Sequence, residues 1–146
     1  MPAPQRSRNR RTARKLLATL ALALSAGALA QLPDPYRGSN EWNPLDMEVA
    51  TLPPYCQADL RPKQYPGPGT RAYGCGETFN HFCPALVAMS RARNPLLSMT
   101  ARRYNLSLAE DHLRYTRTHL VPQCRLVGEV QAAEHRAKVL RTLLGR

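Results

Sequence analysis

The sequence predicts an all-α domain of three main helices, the last two an antiparallel hairpin, with an extended proline-rich arm pinned across it and two disulfides. Three observations carry this. From residue 79 onward apolar side chains recur at steps of three and four, the period of one helix face. Ahead of them, 31–73 holds Pro33, Pro35, Pro44, Pro53, Pro54, Pro62, Pro66 and Pro68, and proline both removes amide donors and bars the preceding residue from the helical region. Cys56, Cys75, Cys83 and Cys124 make an even set in a chain that carries an export signature.

That signature occupies 1–30. Arg6, Arg8, Arg10, Arg11, Arg14 and Lys15 precede an apolar run at 16–24, and small residues end in Ala28 and Ala30. A basic stretch, a short apolar stretch and small residues at the two positions a signal peptidase reads are in the order that export requires. The run is shorter than the roughly 20 residues that span a bilayer. The expected mature chain begins at Gln31 and makes no stable membrane insertion. Arg10-Arg11 is followed by Thr-Ala-Arg-Lys, unlike a twin-arginine signal, and no cysteine stands at the cut to carry a lipid.

Cleavage changes the charge argument. The whole chain carries 21 basic and 10 acidic residues, a net +11. Six of the basic ones leave with the signal, so the mature chain is only +5. That weakens any pull on nucleic acid, which an exported protein rarely meets, and no nucleic-acid partner is expected. Within 31–60, Asp34, Glu41, Asp46, Glu48 and Asp59 face a single base, Arg37. This acidic arm is expected to fold back on the basic body downstream. It also holds Trp42, Tyr36, Tyr55, Tyr65 and Tyr73, side chains that pack better than they float.

The elements follow in order. Within the arm, 45–51 has room for a helical turn or two. Domain boundaries are placed at 1–30 for the signal, 31–73 for the arm and 74–146 for the helical domain. Phe79, Phe82, Leu86 and Val87 mark a first helix that Asn94-Pro95 stops; Pro84 either kinks it or stands in its first turn. A short helix is expected through 99–104. The second main helix is expected at Ser107, where Ser-Leu-Ala-Glu to Glu110 has the form of a capping box, with Leu106, Ala109, Leu113 and Leu120 on its buried face. In the third, Leu126, Val130, Ala133, Ala137, Leu140 and Leu144 step by four and three, and Gly145 ends it.

Candidate chemistry is sparse. YGCGETFNHFC at 73–83 places His81 two residues from Cys83, and a thiolate with an imidazole is a possible copper or zinc pair. The spacing matches no common zinc pattern, and export favours disulfides. No metal or other cofactor is assigned. Neither Cys-x-x-Cys nor Cys-x-x-Cys-His occurs, which removes the usual redox and covalent haem motifs. Glu110-Asp111-His112 and Glu134-His135 are adjacent residues that point about 100° apart on a helix, so they read as a solvated face. No catalytic residue is nominated. Arg91, Arg93, Arg102 and Arg103 beside Tyr104 form a basic patch, for which docking of the acidic arm or contact with an anionic envelope surface is expected in preference to RNA or DNA binding.

LPPYC at 52–56 and FNHFCPALVAMSRAR at 79–93 together resemble segments of small exported proteobacterial proteins of tetratricopeptide-repeat-like type. The likeness runs over 52–146. That group has several histidines and an aromatic after the cysteine, where this chain has His81 alone and Pro84. Only one helix pair, 107–144, has the form of a repeat, and solenoids stack about three. The resemblance implies a helical-hairpin fold. Of the three possible cysteine pairings, Cys56 with Cys83 is preferred because it joins the two resembling segments. Cys75 then pairs with Cys124, tying the loop before the first helix to the loop between the last two. A non-enzymatic protein-binding or scaffold module of the envelope is the resulting functional expectation, with another envelope protein as partner. Its contact residues are expected in Arg91, Arg93, Tyr104, Arg114, Tyr115 and Arg117, on the surface formed by the first helix and the hairpin. The alternative is a periplasmic metal-binding or redox protein using His81 and the cysteines.

Overall fold

A computed structural model describes residues 36–145. The signal expected at 1–30 lies outside the described residues. From Gly38 on, the chain forms one compact unit, in which helices joined by turns and irregular segments are present and no strand occurs among the described residues.

Three long helices form its body. α3 covers Phe82–Arg93, α4 covers Met99–Thr118 and α5 covers Val127–Leu144, after two short helices, α1 at Asp46–Val49 and α2 at Pro54–Leu60. Short 3-10 turns at Thr70–Tyr73 and Glu77–His81 lead into α3. Side-chain bonds fix the helix directions. Arg102 Nε donates to Ala92 O at the α3–α4 end, and His81 meets His112 at the other, so these helices run antiparallel. Arg103 donates to Leu144 O, Arg141 bonds Glu110 and Arg117 bonds Glu134, so α4 and α5 are antiparallel as well.

The core follows the period read from the sequence. Leu126, Val130, Ala133, Ala137, Leu140 and Leu144 are all buried. On α4, Leu106, Ala109 and Leu113 are buried, together with His112 and Thr116. Ala85, Ala88 and Ala92 give α3 a face of small residues, and without long side chains between them the helix axes can approach closely. Phe79 and Phe82, ring centroids 5.0 Å apart, fill one end of this core.

Two boundaries differ from expectation. α4 is one continuous helix from Met99, so the short 99–104 helix and the helix expected at Ser107 are a single element. Ser98 caps it by accepting from Ala101 N–H at 3.2 Å. Ser107 lies two turns inside, where every amide already has a helical partner and a cap has nothing to satisfy. Glu110, the other half of the supposed box, turns to Arg141 instead. The arm differs too: it is not extended throughout, because α1 and α2 form within it. Pro54 is the first residue of α2, a position whose N–H needs no helical partner. Pro84 likewise stands in the first turn of α3, without a kink.

The arm is fastened by charge and by sulfur. Glu48 of α1 pairs with Arg91 of α3. Arg61 binds Asp46, Asn43 and Pro44 O. Cys56 of α2 is bonded to Cys83 of α3, and Cys75 to Cys124 in the α4–α5 connection. Gly74 and Gly76 flank Cys75 at φ +69° and +76°, left-handed conformations that glycine adopts without steric cost and that turn the chain so this sulfur faces inward. Beside that bridge Arg125 N–H donates to Tyr73 O at 3.0 Å.

Candidate functional site

The polar feature with most chemistry lies where the 3-10 turn before α3 crosses the middle of α4. His81 ends that turn, and His112 stands on the buried face of α4. Their Nδ1 atoms are 2.8 Å apart. On the far side of the His112 ring, Nε2 lies 3.7 Å from Glu41 Oε1. Trp42, the next residue, sets its ring edge-on to both imidazoles, at centroid distances of 4.9 Å and 5.4 Å. Tyr115, one turn after His112, stacks on His81 at 3.9 Å and on His119 at 4.1 Å. His119 is held in place by Tyr115 O, 2.9 Å from its Nδ1.

The surroundings of His81 disfavour its charged form. Burial, followed by the neighbouring His112 and His119, holds its imidazole below the ordinary histidine range, because each of these opposes a positive charge on the ring. The result is a partly buried imidazole framed by two aromatic rings. Trp42 is 45% exposed and Tyr115 37% exposed, so the cluster reaches the surface.

The residues expected to form a binding groove are dispersed. Arg91 is 5% exposed and paired with Glu48, so it is an internal tether and not a contact residue. Its position at i+4 from Val87 on α3 places it on the core side, under α1. Arg93 is exposed and lines a shallow depression with Leu52, Pro53, Leu86, Met89 and Arg136. Tyr104 is exposed. Arg114 pairs with Asp111 on its own helix at 2.6 Å, whereas Arg117 pairs with Glu134 of α5 at 2.7 Å. Tyr115 turns toward α3 and Arg117 toward α5, as residues about 200° apart on a helix must. These two therefore lie on opposite flanks of α4.

The adjacent acid-histidine strings also differ from a uniform solvated face. His112 is buried against His81 and Glu41, whereas Glu110 and Glu134 carry ion pairs to Arg141 and Arg117. A signal for His112 was present: with Leu106, Ala109, Leu113 and Thr116 it falls within the inward arc of α4. All four cysteines are in disulfides, which removes thiolate from any metal set. Among the described residues no three His, Cys, Asp or Glu side chains converge as a ready metal cage, and no helix is long and apolar enough to cross a membrane. No protein family, curated protein or solved structure matches the chain.

Proposed function

We propose that the protein is an exported, non-enzymatic binding module of the bacterial envelope, which captures another envelope protein on the Trp42–Tyr115 surface. The observation that carries this reading is the immobilisation of two half-exposed aromatic rings by three imidazoles. Tryptophan and tyrosine supply large contact area at low entropy cost, and rings already fixed before binding lose little more on association. Two disulfides suit a compartment outside the reducing cytosol. The antiparallel α4–α5 pair is read as a tetratricopeptide-like hairpin, in keeping with the resemblance of 52–56 and 79–93, with the proline-rich segment wrapped over it.

The test is capture from an envelope extract. Trp42→Ala with Tyr115→Ala should weaken retention of the partner by roughly thirtyfold or more, the size expected when about 2 kcal/mol of hot-spot energy is removed. Helix content should not change. Arg114→Ala with Arg117→Ala should have a small effect, since each of those arginines is already paired. If the arginine variant loses the partner and the aromatic variant keeps it, the surface belongs on the other flank of α4.

A further inference from the structure

The antiparallel packing gathers the end of α3, the start of α4 and the end of α5, where Arg102 donates to Ala92 O and Arg103 to Leu144 O. Apolar side chains project into solvent at this end. Leu96 in the α3–α4 turn is 87% exposed and Leu143 in the last turn of α5 is 74% exposed, while Met99 and Tyr104 are exposed near the start of α4. Cations accompany them without acids. No Asp or Glu occurs at 78–109 or 135–146, and Glu110, the first acid of α4, is taken by Arg141. Arg102 and Arg103 bond to neutral carbonyls, which orient a guanidinium without cancelling its charge. Arg93 is exposed and has no carboxylate partner among the described residues. We propose that this end of the bundle docks on an anionic phospholipid bilayer, with Leu96, Met99 and Leu143 entering the surface and the arginines meeting phosphate groups.

Shape and charge select this occupant. A projecting turn is no socket for a small ligand, which binds in a concave site. A second copy meeting the same patch across a two-fold axis would set these arginines against one another. An anionic bilayer accepts the apolar tips and attracts the cations around them. Depth fits as well. With Met99 at the acyl boundary and the bundle upright, Arg102–Tyr104 stand about 5–8 Å higher at 1.5 Å per residue, the level of the headgroups, where a tyrosine keeps its ring in apolar surroundings and its hydroxyl wet. No helix among the described residues is long and apolar enough to cross a membrane, so the contact is peripheral. Tyr115 lies about 24 Å further along α4, so this surface is separate from the one proposed for protein capture and does not depend on it.

The experiment sediments the exported, disulfide-bonded protein with vesicles of phosphatidylglycerol and phosphatidylethanolamine, and separately with vesicles of phosphatidylcholine. Binding should be confined to the anionic vesicles and should weaken as salt rises. Leu96→Ser with Leu143→Ser should weaken it by about tenfold or more, and Arg93→Gln by about fivefold. Circular dichroism should show unchanged helix content, since these side chains are exposed. Arg125→Gln removes a like charge from the α4–α5 connection at the other end of α4 and should leave binding near that of the wild type. Trp42 is the only tryptophan of the chain, so Leu96→Trp in a Trp42→Phe background reports on the tip alone, and its emission should shift to the blue on anionic vesicles. Equal sedimentation of the leucine variant and the wild type would overturn the contact, as would equal binding to phosphatidylcholine. Absence of vesicle binding, together with a dimer that the leucine variant abolishes, would overturn it in favour of a second copy.

Discussion

Arg91 and Glu48 form a two-pronged ion pair in the interior, with Nε 2.6 Å from Oε1 and Nη2 2.7 Å from Oε2. Their side chains are 6% and 7% exposed. Glu48 Oε2 also accepts Leu45 N–H at 2.8 Å, and Arg91 reaches Ser39 Oγ and Asn40 O. One guanidinium thus ties α1 and the segment before it to α3. Removing either partner strands a charge that has lost its water. Arg91→Met or Glu48→Gln should each lower unfolding stability by about 3–5 kcal/mol, measured by urea denaturation. The double variant should lose clearly less than the sum, because the second change removes the stranded charge. Additive losses would mean that the two side chains act separately.

The disulfides act on the unfolded chain. Cys56–Cys83 closes a separation of 27 residues and Cys75–Cys124 one of 49, and loops of that size imply about 3–4 kcal/mol each from lost unfolded-state entropy. Cys75→Ser with Cys124→Ser should lower the melting temperature while preserving the Cys56–Cys83 peptide in a non-reducing digest. Recovery of a Cys56–Cys124 peptide from the wild-type protein would contradict this arrangement.

Ser98 and Ser107 show where local sequence signals compete. Both read as helix starts, and the upstream one wins because the break at Asn94-Pro95 leaves free amides at Met99–Ala101, which only Ser98 can reach. Ser98→Ala should cost about 1 kcal/mol. Ser107→Ala, at an exposed position inside a helix, should change stability by no more than about 0.5 kcal/mol. Equal losses in chemical denaturation would show that Ser107 still serves as a cap.

The long helices were legible because their buried faces repeat at 3.6 residues, as 126 to 144 shows most plainly. α2 was not, since Pro53-Pro54 has the form of a breaker and only its place in the chain makes Pro54 a first-turn residue. The cluster around His81 was half legible. His81 stood out beside Cys83, but Glu41, Trp42, His112 and Tyr115 come from segments whose meeting depends on how α4 crosses the turn before α3. No spacing rule contains that crossing. Arg91 was misplaced for a related reason: arginine at a helix end reads as surface until its buried carboxylate partner is known.

Gly69 is required by a neighbour. A Cβ at this position would lie 1.8 Å from Asp59 Oδ1. Asp59 in turn accepts from Thr70 N–H at 3.2 Å and from Thr70 Oγ1 at 2.6 Å, a bond that joins the end of α2 to the following 3-10 turn. Gly69→Ala should push the carboxylate away and cost about 1–3 kcal/mol through the unpaired buried Thr70. Asp59→Ala should cost a similar amount, and adding Gly69→Ala to it should cost little more. Proteolysis between 60 and 70, faster in each variant, is the convenient readout.

Tyr55 gives the protein an alkaline limit. Its hydroxyl is buried with no hydrogen-bond partner among the described residues. Burial, then the charge of Glu129 and the nearby Tyr73, pushes its pKa from the ordinary 10.0 up to about 12, against an opposing pull from Arg136. The folded state therefore holds this proton more tightly than the unfolded chain does. Stability from that difference is fully present below about pH 10 and falls as pH rises toward 12. Unfolding monitored across this window, with phenolate absorbance as a second signal, should show stability declining as Tyr55 ionises. Tyr55→Phe removes both the unpaired hydroxyl and its titration. That variant should be at least as stable as the wild type at neutral pH and should resist alkali better. An alkaline decline of the same size in Tyr55→Phe would assign the limit to another group.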